Sequence, residues 1–255
     1  MKFNHNKISY SFDDYCIDEE KNRMIKAFKE FSSKVPVSFF EKQAGDIEIS
    51  CNEENRPDIG EKYFVAGEGG AKKIIQTGRY NVINDGIIFI YEENKKSFEC
   101  DYPGVELHEL MHVFGFDHSS DKNSLMYPYL ESCDQRLDQS IIDTLKKLYS
   151  TENLADLYFE DVNAVKKGRY LDFNLTVRNS GDIDANNANF SILDDGSLVE
   201  SKSLGDVKYG AGIFIEIKNF KLIHRNPKEI SFVIDYEKKI KEIDESNNVA
   251  DVKFE

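Results

Sequence analysis

The stretch His108-Glu109-Leu110-Met111-His112-Val113-Phe114-Gly115-Phe116-Asp117-His118 constrains this chain more than any other. The 255 residues contain only 5 histidines, and three of them fall here. His108 and His112 are four positions apart, so on a helix they share one face and can reach one ion. Glu109 is offset to the side, where it can hydrogen-bond a water held by that ion. Gly115 tolerates a positive φ, which ends the helix and turns the chain. That turn can bring His118 back as a third ligand. Three neutral imidazoles leave a fourth position open, the arrangement of a catalytic zinc rather than a structural one. A bare HExxH occurs by chance in unrelated helices; Gly115 and His118 at this spacing argue against coincidence.

The segment resembles the HExxHxxGxxH signature of the metzincin metallopeptidases. Ser124-Leu125-Met126-Tyr127-Pro128 resembles that family's Met-turn, whose methionine, here Met126, lies beneath the metal. His118-Ser119 followed by Leu125-Met126-Tyr127-Pro128 is most similar to the matrixin branch, and the resemblance covers roughly residues 7 to 149. It implies an α+β catalytic domain, a twisted and mostly parallel sheet with three helices. It implies one catalytic zinc held by His108, His112 and His118. Glu109 would be the general base in hydrolysis of the peptide bonds of a peptide or protein substrate. Tyr127, Pro128, Tyr129 and Leu130 would form the wall of a side-chain pocket. Substrate would lie along an edge strand, for which the segment around Arg79 to Ile83 is the candidate. Some features depart from the family. No histidine lies between His5 and His108, so the usual second, structural zinc is expected to be missing. Ser140 and Ile141 stand where two adjacent aspartates are usual, and no cysteine-switch propeptide is visible.

Periodicity predicts the rest of this domain. Lys7 to Phe12 alternates as a strand, and Asp18-Glu19-Glu20 opens a helix with Met24, Ile25, Ala27, Phe28 and Phe31 on one face. Val37 to Phe40, Asp46 to Cys51 and Gly86 to Tyr91 read as strands, and Val105 to Phe114 and Leu137 to Tyr149 as helices. Ala66 to Ala71 lacks GxGxxG and reads as a glycine-rich turn, not a phosphate cradle.

After Tyr149 the pattern changes to short strands. Leu157 to Phe159, Leu171 to Val177, Phe190 to Leu193, Phe214 to Phe220 and Ile230 to Ile234 are separated by turns such as Asn179-Ser180-Gly181 and Asp194-Asp195-Gly196. This predicts an all-β sandwich. A boundary near Ser150 to Asn153 gives a zinc metallopeptidase domain at 1–150 and a second domain at 155–255. The second is similar to the cell-adhesion-related bacterial domain (CARDB), an immunoglobulin-like sandwich. The matching stretches are Ala155-Asp156-Leu157, Leu175 to Gly181 with Asp184-Ala185, Ile234-Asp235 and Glu242 to Asn248. The resemblance implies attachment, substrate presentation or spacing, with a cell-surface partner. His224 reads as an ordinary histidine. Calcium at the acidic turns finds no support in any loop motif.

Charge and cysteines bound the setting. A net charge of −14, with acidic excess in both halves, argues against nucleic acid or an anionic membrane as partner. No apolar run approaches the roughly 18 residues of a membrane span. Met1 to Lys7 has no apolar core of a signal peptide, so the chain either stays inside the cell or is a mature form. The 4 cysteines form no CxxC pair and allow three disulfide connectivities, or none. Cys100 and Cys133 bracket the active-site helix and Met-turn; a bond between them would clasp that segment and leave Cys16 with Cys51. Such bonds imply an oxidising, extracellular setting, whereas reduced thiols would imply an intracellular peptidase. The leading expectation is a secreted zinc endopeptidase with an adhesion-like module. The alternative is an extracellular adhesion or binding protein whose protease fold is a catalytically weak scaffold. Retention of Glu109 favours the first.

Overall fold

A computed structural model describes residues 1–52, 65–91, 100–130 and 132–254. They form two compact units, one of Met1–Ile74 with Asn81–Glu152, the other of Ile75–Tyr80 with Asn153–Glu255. The order of elements opens with β1 (Lys7–Phe12), α1 (Asp18–Lys34), β2 (Ser38–Glu41), β3 (Ile47–Ser50) and β4 (Gly67–Ile75). β5 (Val82–Ile90), α2 (Gly104–Val113) and α3 (Gln139–Ser150) follow. The strands make one sheet in the order β2-β1-β3-β5-β4. β1 runs parallel to β2 and to β3, and β3 runs parallel to β5, with Ile47 registered against Tyr10 on one side and Gly86 on the other.

A parallel pair cannot close through a tight hairpin, and α1 is the crossover from β1 to β2. Its N-terminus is acidic, and the Glu20 carboxylate accepts the Ile17 N–H at 2.9 Å. Met24, Ala27, Phe28 and Phe31, at helical spacing, are buried. Phe28 stacks on Phe39 with centroids 4.3 Å apart, and Phe31 stacks on Phe114 at 5.1 Å. Gly86 lets α2 lie close on β5, because a Cβ there would sit 2.6 Å from Val113 Cγ1.

Two expectations are corrected. Ala66 to Ala71 is not a turn: Gly67 opens β4, because its glycines answer to a close approach described below. The Arg79 to Ile83 segment is not a free edge. Val82 and Ile83 begin β5, an inner strand of the sheet, and Lys2 bridges to Val82, with Ile83 N–H donating to Lys2 O at 2.9 Å. Arg79 lies in the second unit, where its guanidinium pairs with the fully buried Asp182. The edge strand on that side of the sheet is β4.

Cys16 bonds Cys51 and Cys100 bonds Cys133, with Cα atoms 4.8 and 5.3 Å apart, leaving no free cysteine. The first bond ties the residue before Ile17 and α1 to the end of β3. The second ties the approach to α2 to the approach to α3.

The second unit packs two antiparallel sheets, β10-β7-β6 and β12-β11-β8-β9. The strands are β6 (Leu157–Lys167), β7 (Tyr170–Asn179), β8 (Ala185–Asp194) and β9 (Ser197–Val207), then β10 (Gly212–Lys221), β11 (Glu229–Ile234) and β12 (Val249–Lys253). Alternation along β7 and β11 sends Leu171, Phe173, Leu175 and Val177, then Ile230, Phe232 and Ile234, into one core. Among the described residues no helix is long and apolar enough to cross a membrane.

Each disulfide spans more than 30 residues, at separations of 35 and 33. Chain-entropy arithmetic gives roughly 3–4 kcal/mol for either. Replacing Cys16 and Cys51 by serine is expected to lower the urea midpoint of the first unit accordingly, read by near-UV circular dichroism.

A second expectation concerns pH. Burial, then the charges of Glu245 and Asp235, push the Glu242 carboxyl from 4.5 up to about 7, against the pull of bonds from Leu157 N–H and the Asn248 amide. The folded state holds this proton more tightly than the unfolded one. Its contribution to stability is therefore full below about pH 4.5 and is lost as pH rises through about 7. The Tm of the second unit should fall across that window, and Glu242→Gln should flatten the slope.

Candidate metal centre

α2 presents His108 and His112 on one face, as the four-residue spacing requires. The helix stops at Gly115, whose φ is +82°. Gly115 N–H donates to His112 O at 3.0 Å and Phe116 N–H to Met111 O at 3.1 Å, closing the helix end through a left-handed glycine. The reversed chain returns His118 to the other two. Ser119 N–H then donates to Met126 O at 2.7 Å, so the third histidine and the Met126 turn are held together.

The ring nitrogens are oriented by backbone carbonyls. His108 Nδ1 donates to Leu125 O and His112 Nδ1 to Phe116 O, each at 2.7 Å. A carbonyl can only accept, so both Nδ1 atoms carry the proton and both Nε2 atoms present lone pairs. His112 Nε2 lies 3.1 Å from His108 Nε2 and 3.3 Å from His118 Nε2. Lone pairs at that distance repel unless a cation lies between them. Four ligands at about 2.0–2.1 Å from a tetrahedral zinc have nitrogens about 3.3–3.4 Å apart. The three imidazoles thus fit a zinc-sized ion bound through Nε2. Their chemistry agrees: burial lowers the His108 pKa to about 4 and lowers that of His112 as well, so both rings are neutral and ready to ligate.

Glu109 is buried on the flank of α2, against β4. Burial, and then the charges of Glu68 and Glu106, push its carboxyl up to about 8. A cation at the histidines would favour the charged form instead. β4 comes so close that a Cβ on Gly69 would lie 2.1 Å from Glu109 O, and one on Gly67 would lie 2.8 Å from Glu109 Cγ. Glycines two apart in a strand clear the same face, which is why the GEGG run is an edge strand packed on the helix.

Three supports of this site carry no signature in the sequence. Gln135, itself buried, directs Nε2 at the carbonyls of Tyr129, Ser124 and Lys122 at 3.0, 3.3 and 3.2 Å. Two N–H groups are shared among three acceptors and hold the turn around Met126. Ser124 Oγ donates to Asp138 Oδ2 at 2.6 Å and accepts Met126 N–H at 3.0 Å. Arg23 on α1 grips buried Glu106 at 2.6 and 3.2 Å and also donates to Cys100 O, fixing the start of α2. Met126 is buried beneath this frame, whereas Tyr129 and Leu130 are exposed and Tyr127 is half-buried.

These features coincide with those of one family, and the comparison with known proteins agrees. Residues 2–150 match the matrixin peptidase family, and residues 154–252 match CARDB. The chain belongs to the matrixin family. This matrixin is 28% identical over 158 residues to Metalloendoproteinase 4-MMP of Arabidopsis thaliana, covering 57% of this chain and 46% of that protein. It is 28% identical over 150 residues to interstitial collagenase of Oryctolagus cuniculus, covering 56% of this chain and 31% of that one. It thus spans less than half the length of either relative. The CARDB domain of the PF1109 protein of Pyrococcus furiosus, solved in complex with di-metal ions, aligns with 40% of this chain and 96% of its own. That alignment has 19% identity and a TM-score of 0.34.

Gly69→Ala is expected to push β4 off the helix and cost about 1–3 kcal/mol. The same displacement should disturb Glu109 more than the histidines. Zinc content should therefore be retained in this variant while any peptide cleavage falls at least tenfold.

Proposed function

We propose that this matrixin is a zinc-dependent endopeptidase with a C-terminal module that attaches it or presents substrate. The observation that carries the reading is the convergence of three Nε2 atoms beside a buried glutamate. His108, His112 and His118 hold one zinc through Nε2. Bound there, zinc supplies Lewis acidity to an attacking water and to the scissile carbonyl. The remaining work falls to the chain. β4 offers its free edge to an extended peptide, which pairs with it as an added strand beside α2. Glu109 accepts the proton of the attacking water and passes it to the departing amine nitrogen. Its burial keeps the carboxylate basic enough for both transfers. The Met126 turn supports the histidines through Leu125 O and Ser119 N–H. Tyr127, Pro128, Tyr129 and Leu130 follow that turn and form the wall of a substrate side-chain pocket.

Two disulfides support an oxidising, extracellular place of work. The CARDB module supports a cell-surface or substrate-bound partner.

The test is cleavage of an unfolded protein with metal content measured in parallel. Wild type should hold one zinc and cleave. Glu109→Ala should keep the zinc and lose cleavage by at least a thousandfold. His118→Ala should lose both, as should chelation, with activity restored by added zinc. One zinc with no cleavage by wild type would favour the scaffold alternative. Cleavage that survives Glu109→Ala would overturn the mechanism.

A further inference from the structure

The connection from β11 to β12 contains a second set of oxygen atoms that lack what they need. Val233 is registered with Val249, and Ile234 N–H donates to Asn248 O at 2.9 Å. Asp235, at a positive φ of 44°, follows Ile234, and Asn247 precedes Asn248, so the two flank that hydrogen-bonded pair at the mouth of the connection. Glu242, midway along it, folds back to bridge Ala155 and accepts the Asn248 amide at 2.8 Å. Asp235 and Asn247 therefore border the hydrogen-bonded pair to which Asn248 belongs, and Glu242 is bonded to it.

Their hydrogen bonds can be followed atom by atom. Asp235 Oδ2 accepts Ile240 N–H at 2.6 Å. Asn248 Nδ2 donates to Glu242 Oε1, and Asn247 Nδ2 donates to Asp156 Oδ1 at 3.3 Å. A carboxylate at the end of each amide fixes which atom is nitrogen. The remaining atoms, Asp235 Oδ1, Asn247 Oδ1 and Asn248 Oδ1, are buried without a hydrogen-bond partner. Among the described residues only one other buried side-chain atom is left so. Asp235 is 2% exposed and Asn248 is 4% exposed, so bulk water does not relieve them.

All three are acceptors, and a buried acceptor left without a donor is destabilising. The charges point the same way. Glu242, also buried, receives only neutral donors, the Leu157 N–H and the Asn248 amide. Lys239 pairs with Glu237 at the surface.

We propose that Asp235, Asn247 and Asn248 bind a calcium ion through their side-chain oxygens, with Glu242 holding the Asn248 amide in place. The donors are a carboxylate and amide carbonyls, hard oxygens with no sulfur or imidazole, which selects calcium over zinc. Water completes a shell of six to eight ligands, and affinity falls in the range of extracellular modules, on the order of 10⁻⁴–10⁻³ M. The ion would lock the β11–β12 connection against the start of β6.

The experiment uses the full chain carrying Glu109→Ala, loaded with zinc, and calcium chloride as the probe. Isothermal titration should count one calcium per chain, and 10 mM calcium should raise Tm by several degrees. Magnesium chloride should do so more weakly. Asp235→Asn should weaken binding at least tenfold, and Glu216→Gln, on an exposed strand position, should leave it unchanged. Should Asp235→Asn fail to fold, the half-buried Asn247→Ala is expected to show the same loss. Absence of binding at 10 mM calcium would overturn the proposal, and so would full affinity in both site variants.

Discussion

Three imidazole Nε2 atoms gathered at one point are the constraint on which the catalytic unit depends. With both Nδ1 protons committed to Leu125 O and Phe116 O, the Nε2 atoms of His108 and His112 have nothing to donate to each other at 3.1 Å. The protein must hold this repulsive arrangement until an ion relieves it. It does so from three sides. Arg23, Glu106 and the Cys100 carbonyl anchor the start of α2. The Gly115 turn fixes its end. Gln135 and Asp138 anchor the loop that supplies Leu125 O. The Cys100–Cys133 bond links the first of these anchors to the third. These bonds thus hold together groups that would otherwise move apart, a form of pre-organisation toward the ion.

The metal centre was legible because its parts are close in sequence. A four-residue spacing and a glycine at a helix end have fixed geometric meaning before any tertiary contact forms. The helices of the first unit and its strands other than β4 were legible for the same reason, and those predicted elements fall within a few residues of the ones observed. The misread segments depend on distant partners. Gly67 and Gly69 look like a turn until Glu109, some forty residues on, is seen to fill the space their side chains would occupy. Arg79 looks like part of an exposed edge until Asp182 is found beside it. Gln135 is an unremarkable polar residue in a loop, and only the direction of three carbonyls gives it a role. A polar side chain takes its meaning from what surrounds it, and a single sequence does not carry that.

The second unit shows the complementary case. The stretch Glu242 to Asn248 belongs to the CARDB pattern, and its acidic and amide residues look like a hydrogen-bonded hairpin end. No loop motif spaces its oxygens for calcium, because the set is split: Asp235 follows β11, and Asn247 and Asn248 precede β12. Spacing rules find ligands that share one loop. Ligands brought together across a strand pair are found only by asking where each buried lone pair goes.

The two clusters differ in how their frustration is built, and that difference bears on function. At the histidines the outer nitrogens of His108 and His112 are held by Leu125 O and Phe116 O, and the turn around Met126 is held by Gln135 and Asp138. The site is therefore rigid without its ion, as a catalytic centre must be if its base and ligands are to stay aligned through turnover. At Asp235 the unsatisfied atoms belong to residues that also tie the connection together through Ile240, Glu242 and Asp156. An ion there would change how firmly the connection is held more than what the unit can do chemically. One chain would thus use metal in two ways, to react in the first unit and to brace in the second. The donor atoms keep the two apart, because imidazole nitrogens hold zinc and carboxylate and amide oxygens hold calcium.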